Sequence, residues 1–133
     1  MSKVLYIEDH PAQRDILAQM LELNGFEVAT ASDGQEGVEK TRAWLPDLIL
    51  MDLRMPRMDG FEATAEIRRQ EQNNGLHRTI VAMTANAMPG DRERCLDAGM
   101  VDYLVKPVNL DKLANLLREI KPLPAAFHTA IDG

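Results

Sequence analysis

Short apolar segments alternate with amphipathic segments along almost the whole chain. Five of the apolar segments have the length and the β-branched content of strands. Each is followed by a stretch in which apolar residues recur every three to four positions, as on a helix that packs on one side. The predicted strands are Lys3–Ile7, Phe26–Ala31, Asp47–Leu53, Thr79–Thr84 and Val101–Val105.

The intervening helices are bounded by residues that favour helix ends. Pro11 suits a first helical position, Gly25 suits the position just past an end, and Asp59 suits the cap of the third helix. The predicted helices are Pro11–Asn24, Gly34–Trp44, Gly60 to the Asn73-Asn74-Gly75 stop, Pro89–Ala98, and a last helix marked by Leu110, Leu113, Leu117 and Ile120.

Two helices carry apolar stripes that predict their buried sides. In the first helix, Ile16, Met20 and Leu23 form one stripe, with Leu17 and Leu21 beside it. The third helix is expected to face inward through Phe61, Ala65 and Ile67 or Arg68.

Strands that alternate with helices predict an α/β fold, a parallel sheet with helices on both faces. The third strand supports this prediction, because Leu48–Met51 is apolar without interruption, as expected of a strand covered on both sides. The length of 133 residues fits one domain with a sizeable core.

Charge and composition narrow the class of protein. Fifteen basic and 21 acidic side chains leave a formal charge of −6, which argues against direct contact with nucleic acid. No apolar stretch reaches the length of a membrane span, and no signal peptide opens the chain. A single cysteine excludes an internal disulfide. A cytoplasmic protein is the simplest expectation.

Polar side chains follow four of the five predicted strands. Glu8 and Asp9 follow the first, Asp52 ends the third, Thr84 ends the fourth and Lys106 follows the fifth. Ligands of open α/β sheets bind beyond the carboxyl ends of the strands, so these side chains are expected to converge.

Three neighbouring carboxylates repel one another unless a cation joins them. Lys106 can neutralise one charge, and a hard divalent cation such as Mg²⁺, which prefers oxygen ligands, can neutralise more. An aspartate beside such a cation can act as a nucleophile and form an aspartyl phosphate, with Thr84 and Lys106 as donors to the phosphoryl oxygens. Singly, Asp9 or Asp52 could instead cap a helix or a turn.

The segments YIEDHP, LILMDLRMPRMDG, VAMTANA and DYLVKP together resemble the signature of response-regulator receiver domains, the CheY-like family of two-component signalling. The resemblance spans Lys3 to about Ile120. It implies a flavodoxin-like sheet of order 2-1-3-4-5. It also implies that Asp52 accepts a phosphoryl group from a phosphohistidine on a histidine kinase or a histidine phosphotransfer protein.

The same resemblance assigns the other site residues. Asp9, Asp52 and the backbone carbonyl of Arg54 would bind Mg²⁺ or Mn²⁺, and Glu8 would act through a metal-bound water. Thr84 and Lys106 would contact the phosphoryl group. The peptide bond between Lys106 and Pro107 resembles the family's cis bond.

The resemblance further implies a switch. Thr84 would move towards the phosphoryl group, and the aromatic Tyr103 would fill the vacated space. The face formed by the fourth helix, the fifth strand and the fifth helix would then change its affinity for a downstream partner or an output domain. A phosphorylation-dependent dimer is also possible. Tyr103 could alternatively be an edge-strand residue without a switching role.

Three positions differ from the commonest receiver pattern or adjust it, and they concern metal affinity and the lifetime of the phosphoryl group. Glu8 stands where many receivers have aspartate, so we expect altered rather than lost metal affinity. Arg54 and Asn86, each two residues after a site residue, would line the route of the attacking water. We expect Arg54 to slow hydrolysis of the phosphoryl group by crowding that route, although a solvated arginine is the simpler alternative.

Competing functions use the same residues differently. A phosphatase of the haloacid-dehalogenase type would have a second aspartate where Arg54 stands, and no phosphate-binding loop for a flavin follows the first strand. A non-phosphorylated pseudo-receiver would not need the complete set of site residues. The expected domain is residues 1–120, a receiver without turnover of external substrates, and residues 121–133 form a tail or linker stub.

Overall fold

A computed structural model of the protein describes residues 3–85, 87–106 and 108–119. Strands and helices alternate throughout these residues, as the sequence predicts. The strands are β1 (Lys3–Ile7), β2 (Glu27–Ala31), β3 (Leu48–Asp52), β4 (Thr79–Thr84) and β5 (Asp102–Val105). The helices are α1 (Pro11–Leu23), α2 (Gly34–Trp44), α3 (Gly60–Glu71), α4 (Asp91–Asp97) and α5 (Leu110–Glu119).

All five strands are parallel and lie in the order β2-β1-β3-β4-β5. This order confirms the predicted flavodoxin-like α/β fold. β3 lies at the centre, with Ile49 beside Leu5 of β1 and beside Ile80 of β4. Every residue of β3 is buried, which explains why its sequence is apolar up to the final aspartate.

The sheet separates two apolar cores. One core holds side chains such as Ile7, Met51 and Ile67 and lies on the side of α2, α3 and α4. The other holds Tyr6, Leu17, Leu21, Val81 and Leu113 and lies on the side of α1 and α5. Since burying one large apolar side chain contributes roughly 1.5–3 kcal/mol, both cores stabilise the fold that positions the strand ends.

Two of the predicted buried stripes are partly wrong. In α1 the buried residues are Leu17, Ala18 and Leu21, whereas Ile16 is 61% and Leu23 is 86% exposed. Apolar residues surround much of this helix, so periodicity alone did not select the inner side. In α3, Ala65 is exposed and Ala63, Thr64 and Ile67 are buried with Phe61.

The helix ends agree with the prediction, apart from the residue that caps α1 and the length of α4. Asp59 caps α3 in a capping box with Glu62, as expected. His10, rather than Asp9, caps α1 by accepting a hydrogen bond from the backbone of Gln13. α4 is shorter than predicted and begins at Asp91, because Gly90 adopts the left-handed conformation and ends the preceding turn.

Among the described helices, none combines the length and the apolar character that a membrane span requires. The predicted last residue of α5, Ile120, and the predicted tail at residues 121–133 lie outside the described residues.

A close backbone approach fixes the loop that follows β3. The amide of Gly60 donates to the carbonyl of Leu53 at 3.1 Å. A Cβ atom at Gly60 would lie 2.6 Å from the carbonyl oxygen of Asp52 and 2.9 Å from the Cα atom of Leu53. Only glycine therefore lets the start of α3 approach the end of β3 this closely.

We predict that Gly60→Ala lowers the free energy of unfolding by about 1–3 kcal/mol, the usual cost of forcing an extra methyl group into packed atoms. Urea denaturation measures the change. Ala65→Ser, at an exposed position of the same helix, should stay within about 0.5 kcal/mol of the wild type. Equal stability of Gly60→Ala and wild type would show that the loop can relax away from α3.

Candidate functional site

The sheet order brings the predicted site residues to one edge. Asp52 ends the central strand β3, and Glu8 follows its neighbour β1 directly. Thr84 ends the other neighbour, β4, and Lys106 follows β5. A hydrogen bond of 2.8 Å from the backbone amide of Lys106 to the carbonyl of Thr84 joins the last two strand ends. The predicted convergence is therefore observed.

Three carboxylates form the centre of the site. Glu8, Asp9 and Asp52 each offer an oxygen, and these oxygens lie within 4.8 Å of one another. Glu8 is 1% and Asp52 is 4% exposed, while Asp9 is half-buried and faces the opening. Closely spaced carboxylate oxygens are the ligands that Mg²⁺ prefers, so the residues present fit a divalent cation.

Lys106 supplies positive charge to this cluster. Its ammonium group forms an ion pair with Glu8, and Nζ lies 3.6 Å from Oδ1 of Asp52. Nζ also donates to Oε1 of Gln13 on α1 at 3.0 Å. Only 14% of the lysine side chain is exposed, so water screens these contacts weakly. Lys106 is thus shared between two carboxylates.

The two buried carboxyl groups differ in their affinity for a proton. Burial and the neighbouring Glu8 raise the pKa of Asp52 to about 7, against the opposing effect of Lys106 and of the Arg54 backbone amide. Burial also acts to raise the pKa of Glu8, but hydrogen bonds, above all from Lys106, outweigh it and bring this pKa below its usual value. Asp52 therefore bears the combined cost of burial and of the neighbouring negative charge.

The two predicted switch residues lie on the same side of the sheet. Thr84 is fully buried at the end of β4. Tyr103 is half-buried on β5, opposite Ala82, and packs against the core on the α3 side. Because side chains two residues apart on a strand point to the same face, Thr84 and Ala82 share the face that Tyr103 contacts.

Arg54 has a partner that sequence reasoning missed. Its guanidinium group donates to Oδ2 of Asp91, the first residue of α4, at 2.6 Å. Asp91 is 2% exposed and also accepts from the backbone amide of Met88 at 3.0 Å. Arg54 is therefore ion-paired, although 41% of its side chain is exposed. An acidic residue at a helix start predicts a cap, and nothing in the sequence indicates that it pairs with a residue 37 positions away.

Tyr6 is a second residue that sequence reasoning missed. Its hydroxyl donates to Oε1 of Glu8 at 3.0 Å from within the core. The two-residue spacing of Tyr6 and Glu8 was the available signal, since it places both side chains on one face of the strand. Two predicted residues, Asn86 and Pro107, lie outside the described part of the chain.

Comparison with known proteins agrees with this geometry. The family model described as the response regulator receiver domain matches residues 4–118. The chain belongs to this family.

The relatives and solved structures that this receiver domain resembles include receiver domains of histidine kinases and of a phosphorelay response regulator. This domain is 41% identical over 112 residues to hybrid signal transduction histidine kinase I of Dictyostelium discoideum, covering 80% of the chain but only 6% of that kinase.

Two solved receiver domains have the same fold. The first is the receiver domain of sensor histidine kinase PA1611 from Pseudomonas aeruginosa, which has magnesium coordinated in its active-site cleft. It is 43% identical with a TM-score of 0.80, and the match covers 90% of this chain and 96% of that one. The second is the receiver domain of Saccharomyces cerevisiae Ssk1, in complex with the histidine phosphotransfer protein Ypd1. It is 35% identical with a TM-score of 0.83, and the match covers 90% of this chain and 88% of that one.

We predict that Asp52→Asn stabilises the metal-free receiver at neutral and alkaline pH. The pKa of Asp52 in the folded state, about 7, exceeds its ordinary value of 3.8, so the folded state binds this proton more tightly than the unfolded state does. Stability associated with this group is therefore complete below pH 4 and is lost as the pH rises through 7. With about 1.4 kcal/mol for each pKa unit, Asp52→Asn should gain about 1–4 kcal/mol at pH 8.

Urea denaturation in the presence of a chelator, at pH 5 and at pH 8, measures this gain. Asp15→Asn, at an exposed position of α1, is the matched control and should change stability by less than about 0.5 kcal/mol at both values. A variant Asp52→Asn that is no more stable than wild type at pH 8 would contradict the raised pKa of Asp52.

Proposed function

We propose that this receiver domain accepts a phosphoryl group on Asp52 from a phosphohistidine of a histidine kinase or a histidine phosphotransfer protein. The observation that carries the proposal is the position of the Asp52 carboxylate between Lys106 and the carboxylates of Glu8 and Asp9, at the open edge of the sheet. The family supports this function, and the Ssk1–Ypd1 complex supports the class of donor.

The carboxylate cluster would hold the required cation. Asp9, Asp52 and the backbone carbonyl of Arg54 would bind Mg²⁺ or Mn²⁺ directly, and Glu8 would act through a bound water. When bound, the cation supplies positive charge that offsets the carboxylates and the oxygens of the phosphoryl group. The magnesium in the PA1611 receiver supports this assignment.

The chain's own residues would then carry out the transfer. A carboxylate oxygen of Asp52 attacks phosphorus, and the bond from phosphorus to the donor's imidazole nitrogen breaks as the new P–O bond forms. The electron pair of the broken bond stays on the imidazole. Lys106 would turn from the carboxylates to a phosphoryl oxygen, and the Thr84 hydroxyl would donate to another. The short distance from Lys106 to Asp52 supports this role.

An apolar groove beside the site supports a protein donor. Ile16 and Met20 of α1, with Met83 and Val108, line a groove that reaches Lys106 and Gln13. The exposure of Ile16, which the predicted buried stripe did not anticipate, leaves this side of α1 available for a partner. A donor that carries its phosphohistidine on an apolar surface would bring phosphorus to the open edge.

A second surface would transmit the signal. The α4–β5–α5 face exposes Leu96, Val101 and Val105, each between 46% and 47% exposed. Movement of Thr84 and Tyr103 on phosphorylation would alter this face for a downstream partner, an output domain or a second phosphorylated copy. We propose that this takes place in the cytoplasm, with residues 1–120 as the receiver and 121–133 as a tail or linker.

Two alternatives make different predictions. A non-phosphorylated pseudo-receiver would bind partners without chemistry, and a phosphatase of the haloacid-dehalogenase type would turn over external substrates. The pairing of Arg54 with Asp91 argues against the phosphatase, since the position two residues after Asp52 holds an anchored cation instead of a second acid. We propose that, besides accepting a phosphoryl group from a phosphohistidine, the receiver catalyses only its own phosphorylation from small donors and its own dephosphorylation.

Intact mass spectrometry tests the proposal. We predict that a small phosphodonor and Mg²⁺ add one phosphoryl group to the wild type, and that a chelator or Asp52→Asn abolishes the addition. Asp59→Asn, in the same loop, should retain it because asparagine also caps a helix. An unchanged mass with every donor would contradict the proposal and favour the pseudo-receiver. Release of phosphate over many turnovers would favour the phosphatase.

Arg54 provides a kinetic prediction. If its anchored guanidinium group crowds the attacking water, Arg54→Ala should shorten the half-life of the phosphoryl group several-fold. Asp91→Asn should shorten it less, because the arginine remains but loses its charged partner. Loss of label from the phosphorylated protein measures the half-life, with Arg57→Ala, an exposed cation of the same loop, as the control. A longer half-life in Arg54→Ala would overturn the crowding hypothesis.

A further inference from the structure

Tyr6 lies directly beneath the site, although it belongs to the core. It is 1% exposed, on β1, and its ring belongs to the core on the α1 side, which also contains Leu17, Val81 and Met83. Its hydroxyl donates to Oε1 of Glu8 at 3.0 Å. A phenylalanine would pack equally well here, so packing explains the ring and leaves the hydroxyl unexplained.

Glu8 has an unusual need for fixed partners. At 1% exposure its carboxylate is cut off from bulk water. Oε1 accepts from Tyr6 and from Lys106, and Oε2 accepts from the backbone amide of His10 at 3.3 Å. Glutamate also has one more rotatable bond than aspartate, so its carboxylate must be held in place if it is to act at the cation site.

The two hydrogen-bond donors to Oε1 of Glu8 differ in whether they would stay with it during phosphorylation. Lys106 also lies near Asp52, and under the proposed function it turns towards the phosphoryl group. Oε1 would then lose its charged partner while still buried, and an unpaired buried carboxylate is strongly disfavoured. The Tyr6 hydroxyl, which is fixed by the packed ring, would remain with Oε1 throughout.

We propose that Tyr6 is a positioning residue whose hydroxyl holds the Glu8 carboxylate at the cation site and keeps it paired when Lys106 leaves. This inference rests on the proposed function, since it requires the cation and the movement of Lys106. Tyr6 acts only through Glu8 and touches neither the cation nor the phosphoryl group.

The affinity for Mg²⁺ alone, measured by calorimetry without a phosphodonor, tests the inference. Tyr6→Phe keeps the ring and removes the hydroxyl. It should weaken Mg²⁺ binding by about tenfold, at the lower end of the range for residues that orient a metal ligand. Val81→Ala perturbs the same core from β4, which β3 separates from β1, so it should lower stability but leave Mg²⁺ affinity unchanged.

A double-mutant cycle separates positioning from general damage. Glu8→Asp shortens the side chain and withdraws it from the Tyr6 hydroxyl. If Tyr6 acts through Glu8, adding Tyr6→Phe to Glu8→Asp should change Mg²⁺ affinity less than about twofold. An equal loss in both backgrounds, or the same loss in Val81→Ala, would overturn the inference.

The outcomes also distinguish the inference from the proposed function. If wild type and Tyr6→Phe bind Mg²⁺ equally well, the proposed role of Tyr6 is overturned and the proposed function remains intact. A wild type that binds no Mg²⁺ would overturn both.

Discussion

The repulsion between the carboxylates of Glu8, Asp9 and Asp52 is the constraint on which the rest of the site depends. A parallel sheet brings its strand ends together, so three acidic residues meet in a space where two of them are almost wholly buried. Lys106 offsets part of this charge through Glu8 but lies farther from Asp52. The remaining imbalance falls on Asp52, and it makes a divalent cation a favourable occupant of the site. Such a cation, together with Lys106, would also offset the negative charge of a phosphoryl group.

The surrounding structure holds these charges in place by packing and by pairing. Glycine at position 60 lets α3 approach the end of β3, which fixes the loop that carries Arg54. The Arg54–Asp91 ion pair then joins that loop to the start of α4, next to the face proposed for downstream partners. On the opposite side, the core residue Tyr6 reaches Glu8. The two cores thus connect the site with both proposed binding surfaces.

The sequence predicted most of the fold and the convergence of polar side chains at one edge of the sheet, because both depend on local patterns. Apolar runs bounded by turn residues indicated the strands, and polar residues at the ends of four of the five strands indicated the edge where they meet. Side-chain partners were not predictable in this way. The pairing of Arg54 with Asp91 depends on how a loop meets a distant helix, and the burial of Leu17 instead of Ile16 depends on the rotation of α1 about its axis. Both are set by packing between elements, which periodicity along one helix does not encode.

The central claim is that burial and charge repulsion at the strand ends, relieved by a cation, control the protonation of Asp52. Carbon-13 NMR of the side-chain carboxyl groups, followed against pH with and without Mg²⁺, measures this most directly. In the metal-free protein the account predicts that Asp52 titrates near pH 7, well above Glu8, and that Mg²⁺ moves its titration to lower pH. Titration of Asp52 near its ordinary value of 3.8 in the metal-free protein, with no change on adding Mg²⁺, would contradict it.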